Sequence, residues 1–124
     1  MLNAISQELQ VRYSELEISQ LPSVYFGGGT PSILEPDEIQ KLLDDVSRFY
    51  SIGETTELTL EANPDDLDAN FLKGIVKAGI NRLSIGTQSF DDRDLQMMNR
   101  AHHAEQAESS IKRAQDAGIE NISI

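Results

Sequence analysis

Apolar residues recur at Leu2, Ile5, Leu9, Tyr13 and Leu16, the spacing of one helix face. Ser23 to Phe26 then reads as a short strand. Pro36 sits where a first helical residue belongs, and Ile39, Leu42, Leu43, Val46 and Phe49 form the stripe of a second helix. Glu57 to Glu61 alternates like a strand, and Asn63-Pro64-Asp65-Asp66 is a turn that announces a helix. Phe71, Leu72, Ile75 and Val76 supply that third helix, closed by Gly79 just past its last turn. Arg82 to Gln88 reads as a third strand. Asp91 caps a short helix holding Leu95 and Met98, a longer one runs from about Ala104 to Ala117 before Gly118, and Asn121 to Ile124 opens a fourth strand. The expected order is α, β, α, β, α, β, α, α, β. Strands separated by helices of this length pair in parallel through right-handed crossovers. The predicted class is therefore α/β, about four parallel strands with flanking helices, in residues 1–124 as a single domain or part of one.

Two patterns refine this expectation. Ala78-Gly79-Ile80-Asn81-Arg82-Leu83-Ser84-Ile85 is echoed by Ala117-Gly118-Ile119-Glu120-Asn121-Ile122-Ser123-Ile124, so one helix-to-strand joint is used twice. A barrel of β/α units repeats such a joint, although Ala-Gly-Ile is common in any α/β sheet. The strands are also not apolar on both faces, as strands buried on both sides usually are. Leu58 and Leu60 oppose Glu57, Thr59 and Glu61; Leu83, Ile85 and Thr87 oppose Ser84, Gly86 and Gln88. A polar barrel lumen fits this alternation, and so does an open sheet with helices on one face only.

Charge narrows the partners. The chain of 124 residues has a formal net charge of -11, which argues against a nucleic-acid backbone or an anionic membrane surface as partner. Much of the acidity lies between Glu35 and Asp68, where eleven acidic residues face only Lys41 and Arg48. Helix starts and solvated helix faces account for it. No apolar run is long enough to span a bilayer and no signal peptide is evident, so the cytoplasm is the expected compartment. With no cysteine, the chain offers neither disulfides nor thiolate metal ligands.

The candidate chemistry gathers at the C-terminal ends of the strands. Val24-Tyr25-Phe26 drops into Gly27-Gly28-Gly29-Thr30-Pro31, a turn whose glycines permit unusual backbone angles and close approach of a ligand. No Lys-Ser/Thr pair follows, so it is not a phosphate-binding P-loop. Glu61 ends the second strand, Gln88 the third, and Arg100 follows one short helix later. In a parallel β/α barrel these ends share the rim where active sites sit. Backbone amides, a carboxylate, a carboxamide and a guanidinium suit a small polar ligand with hydroxyls and an amino-acid head group. Each residue also has a structural reading: Glu61 steadying the Asn63-Pro64 turn, Gln88 satisfying the following loop, Arg100 pairing with Asp94. His102 and His103 are adjacent, lack further ligands at metal-site spacing, and read as a polar helix entry.

Several blocks in order carry a family resemblance. Val24 to Ser32 (VYFGGGTPS), Leu58 to Asp65 (LTLEANPD), Asn81 to Phe90 (NRLSIGTQSF) and Asn99 to His102 (NRAH) resemble the oxygen-independent coproporphyrinogen III oxidases, a family of radical S-adenosylmethionine (SAM) enzymes. The blocks cover nearly the whole chain, and the last two are closer to the family's HemW-like, heme-chaperone branch. The resemblance implies a partial parallel β/α barrel, a fragment of a radical SAM core. It implies that Gly28, Gly29 and Thr30 hold the methionine end of SAM through the backbone. Glu61 and Gln88 would bind its ribose or amino group, and Arg100 would meet its carboxylate. Cofactors of the longer protein would be SAM and a [4Fe-4S] cluster, with porphyrin or heme as partner.

One departure from the family is large. Its Cys-x3-Cys-x2-Cys loop, which holds the cluster, has no counterpart in a chain without cysteine, so the cluster cannot bind these residues. A start inside a helix and a stop inside a strand make a piece of a longer protein the expectation. Three functions stay open: a SAM-binding core segment of an oxidase, inactive alone; a segment of a heme chaperone; and a stand-alone pseudoenzyme or interaction module. An incomplete barrel further predicts self-association, or a first helix covering the exposed core.

Overall fold

Helix starts in the computed structural model, which describes residues 1–101 and 103–124, follow the local sequence closely. Helix α1 spans Leu2–Arg12. Helix α2, Pro36–Ser47, begins with Pro at its first position and a capping box in which the Glu35 amide donates to Glu38. In α3, Ala69–Ala78, the Asp68 carboxylate accepts from the amides of Asn70 and Phe71. Asp91 caps α4, Asp92–Met97, by accepting from the Arg93 amide, and His103 with Gln106 boxes the start of α5, Ala104–Asp116. Acidic residues at these starts meet the unpaired amides and the positive end of the helix dipole. That is where much of the acidity between Glu35 and Asp68 goes.

The strands are β1 (Ser23–Phe26), β2 (Glu57–Ala62), β3 (Arg82–Ile85) and β4 (Asn121–Ser123). They form one parallel sheet in chain order, β1-β2-β3-β4, which leaves β1 and β4 as its edges. The register aligns side chains in rows. Phe26, Leu60, Leu83 and Ile122 form one apolar row, with Val24–Leu58 below it and Ala62–Ile85 above. These rows pack against Ile39 and Leu43 of α2, Leu72 and Ile75 of α3, and Ala114 of α5. The opposite face carries Tyr25, Thr59 and Arg82 in one row and Glu61, Ser84 and Ser123 in the next.

The polar face is filled at its lower end. Arg82 reaches across it, donating to Thr59 Oγ1 at 3.4 Å and Ser123 Oγ at 3.1 Å, with Glu57 at 3.7 Å. This explains why Thr59, polar and on the lumen side, is fully buried. The upper end, toward Glu61 and Ser84, stays open.

The repeated joint is real and structural. Gly79 (φ +103) and Gly118 (φ +99) are both left-handed, and the next residues, Ile80 and Ile119, bond back to Ile75 and Ala114 and are buried. The two copies differ at three positions, and the first of these has a structural consequence. Asn81 accepts from the Leu58 amide at 2.8 Å and donates to the Thr56 carbonyl at 2.9 Å, fixing the entry to β2. Glu120 stands at the equivalent place and is exposed.

Several boundaries differ by a residue or two, and two differ more. The first helix was expected to run to Leu16, but α1 ends at Arg12 and a 3-10 turn covers Tyr13–Glu15. Helix α1 lies against α2 through Ser6 to Asp45 (2.6 Å) and Lys41 to Asn3 (3.2 Å), and just past the two helices Tyr13 stacks on Phe49. The third strand ends at Ile85, not Gln88. After it, Thr87 bonds back to Ile85 and Ser89 to Thr87, and Gln88 takes a left-handed φ of +64. No helix among the described residues is long and apolar enough to cross a membrane.

Candidate functional site

Four segments converge above the open end of the polar face. The turn after β1 bends through Gly28 (φ +83) and Gly29 (φ +68), angles that side chains with a Cβ rarely adopt. A Cβ added at either would meet nothing, so the backbone angle, rather than space, calls for glycine there. The end of β2 contributes Glu61, Ala62 and Asn63. The segment after β3 contributes Gly86 and Gln88, and the α4–α5 connection contributes Arg100. Together Gly29, Thr30, Pro31, Glu61, Ala62, Asn63, Ser84, Gly86, Gln88 and Arg100 line one cleft of about 380 Å³. That volume lies in the usual range for small-molecule sites.

Hydrogen bonds stitch these segments together. Glu61 accepts from the Gly28 amide at 2.9 Å and from the Tyr25 phenol at 2.8 Å. Ser32, buried, donates to Asp66 and accepts from the Asn63 amide at 3.3 Å, so the first two loops are tied a second time. Arg100 Nη2 donates to the Gly86 carbonyl at 3.1 Å and to Asn63 Oδ1 at 3.4 Å, joining the second and third loops. The Nε of Arg100 is buried and has no partner among the described residues. A buried donor left unpaired is costly, which makes this guanidinium a natural receiver for an anionic group.

Gly86 serves the site by its size. A Cβ there would lie 3.3 Å from Gln88 Nε2, 3.5 Å from Arg100 Nη2 and 3.7 Å from Asn63 Oδ1. A side chain there would touch all three polar groups and crowd the Gln88 amide slightly. Gln88, which lines the cleft, has a positive φ of +64. Strained backbone of this kind concentrates at ligand sites.

Five of the six residues singled out from the sequence, Gly29, Thr30, Glu61, Gln88 and Arg100, line the cleft, and the sixth, Gly28, borders it through its bond to Glu61. The structural alternatives fare differently. Glu61 holds the glycine turn, not the Asn63-Pro64 turn, and Asp94 bonds to Ser89. His103 caps α5 and lies 3.7 Å from Asp92, while His102 falls outside the described residues. Sequence reasoning missed Tyr25, Asn63, Ser84 and Gly86 as site residues. Their signal was register: each lies on or just past the polar face, Asn63 and Gly86 two residues from Glu61 and Gln88, Ser84 beside Glu61 in the sheet, and Tyr25 three residues before Gly28.

A parallel β/α sheet with a polar cleft at the C-terminal ends of its strands is the arrangement of a barrel-type α/β protein. The family model described as the radical SAM superfamily matches residues 7–124, and the chain belongs to that superfamily. A Bacillus subtilis protein named heme chaperone HemW is 39% identical over 124 residues, covering 99% of this chain and 33% of its own length. A Bos taurus protein named radical S-adenosyl methionine domain-containing protein 1, mitochondrial, is 41% identical over 98 residues, 79% of this chain and 22% of its own. The solved structure of coproporphyrinogen III oxidase (HemN) from Escherichia coli, described as a radical SAM enzyme, superposes with a TM-score of 0.86 at 25% identity. It covers 98% of this chain and 28% of that one. The chain thus spans about a third of the length of the first curated relatives. The expected partial β/α barrel of a radical SAM core is what the fold shows.

Proposed function

We propose that the cleft is a SAM cradle, the cofactor-binding segment of a radical SAM protein. The observation that carries this reading is the convergence of Gly29, Thr30, Glu61, Gln88 and Arg100 on one cleft, with the buried Nε of Arg100 lacking a partner among the described residues. In this reading the backbone of Gly28-Gly29-Thr30 receives the methionine end of SAM. Glu61 and Gln88 hydrogen-bond its ribose hydroxyls or ammonium, and Arg100 meets its carboxylate. Bound SAM would supply a sulfonium poised for reductive cleavage. The [4Fe-4S] cluster that drives such cleavage in the superfamily does not fit these residues, because the chain has no cysteine. What the 124 residues do is bind and orient.

The similarity to the HemW relatives over nearly the whole chain favours heme handling, rather than porphyrin oxidation, for a longer protein carrying this segment. Heme titration of that protein, beside an anaerobic coproporphyrinogen decarboxylation assay, separates the two. Self-association through the edges β1 and β4 belongs to the same reading. Sedimentation velocity across a concentration series should show a rising mean mass, and a constant monomer mass would remove it.

SAM titration followed by NMR should shift the amide signals of Gly28, Gly29 and Thr30, with a Kd of about 1 mM, or about -4 kcal/mol. Binding is expected to be weak because no cluster iron adds a contact and the cleft is open to solvent. No shift at these amides at ten times that concentration would leave the interaction-module reading in its place.

A further inference from the structure

Tyr25 is the one aromatic residue on the polar face of the strands, and it is 54% exposed, so packing does not account for it. It sits in the row below Glu61, yet its hydroxyl reaches Glu61 Oε1 at 2.8 Å. The ring does so by lying along the strand over Gly27. A Cβ on Gly27 would stand 2.5 Å from Cε1 and 2.9 Å from Cδ1 of that ring, and 3.1 Å from Glu61 Oε1. Gly27, unlike Gly28 and Gly29, has no positive φ. Its lack of a side chain therefore serves the tyrosine ring, not the backbone. The other oxygen of Glu61 accepts from Gly28, the first left-handed residue of the turn. The phenol is held above the ordinary tyrosine range, first by its bond to Glu61 and then by desolvation, with Ser84 acting in the opposite sense.

We propose that Tyr25 is a positioning residue: with its ring seated on Gly27, its hydroxyl holds Glu61 against the Gly28 amide and so fixes the shape of the glycine turn. Glu61 is then first a clamp on the turn, and a ligand meets only its remaining lone pairs. The proposal deepens the SAM-cradle reading and rests on it for the ligand-binding part of its test alone.

The test uses Tyr25→Phe, Gly27→Ala and the double variant in the full chain. Tyr25→Phe removes only the donor, while Gly27→Ala keeps both side chains but displaces the ring and crowds Glu61 Oε1. Without ligand, hydrogen exchange at the Gly28 amide should rise about tenfold in each single variant, while the amides of Leu60 and Leu83 keep their protection. The double variant should show no further rise, because both changes break the same contact. The Kd for SAM should weaken severalfold in the same variants. Unchanged exchange at Gly28 in Tyr25→Phe would overturn the proposal. So would a rise shared equally by Leu60 and Leu83, which marks plain destabilisation, or additive effects in the double variant. If the unaltered chain fails to bind SAM, the cradle reading falls, and exchange at Gly28 still decides whether Tyr25 sets the turn.

Discussion

Replacing Arg100 with alanine should weaken SAM binding by roughly tenfold to a hundredfold, the range expected when a charge-assisted hydrogen bond is lost. The side chain sits where three strand-end loops meet. Its Nη2 already bridges Gly86 and Asn63, which fixes the guanidinium plane, and its buried Nε has no partner among the described residues. A carboxylate in the cleft would complete the set. Truncation removes the cation and also frees the Gly86 carbonyl and the Asn63 amide group, so the loss should exceed that of one contact. Arg100→Lys should recover little, because an ammonium cannot hold Gly86 and Asn63 while presenting a planar fork. NMR titration beside thermal unfolding checks this. An unaltered affinity in Arg100→Ala would place the ligand's carboxylate elsewhere.

Leu60→Ala should cost about 2–5 kcal/mol of folding stability. Leu60 is wholly buried, with Phe26 on one side and Leu83 on the other in register. It belongs to the core that joins the sheet to the helices. A domain of this kind has about 5–15 kcal/mol in total, so the loss is a large share of it. Urea unfolding should show a lower midpoint with an unchanged slope. A loss below about 1 kcal/mol would mean that neighbouring side chains close the cavity.

Residues of both kinds show what a sequence exposes. The stripe Ile39, Leu42, Leu43 was legible because burial on one helix face writes itself at a 3.6-residue period, and the Asp68 and Asp91 caps because few residue types can satisfy free amides. The strand boundary at Ile85 was not. Thr87 is buried like Leu83 and Ile85, so the alternation continues after the ladder has ended. Alternation records burial, and burial outlasts pairing. The 3-10 end of the first helix was hidden for a related reason: Tyr13 and Leu16 keep helical spacing but are about half exposed. In the cleft, the glycine turn, Glu61, Gln88 and Arg100 could be chosen by chemistry. Tyr25, Asn63 and Gly86 contribute through reach, tethering and smallness, properties that exist only once the strands are in register.

The sheet order β1-β2-β3-β4 bears on how the chain acquires its structure. Each new strand docks beside the one made just before it, so no pairing waits for a distant partner and contact order stays low for a parallel sheet. Folding can then advance in one direction as the chain leaves the ribosome, each helix-strand unit templating the next. The cleft residues come in the same order, glycine turn first and guanidinium last, so the site's parts are all made before α5 and β4 complete the sheet.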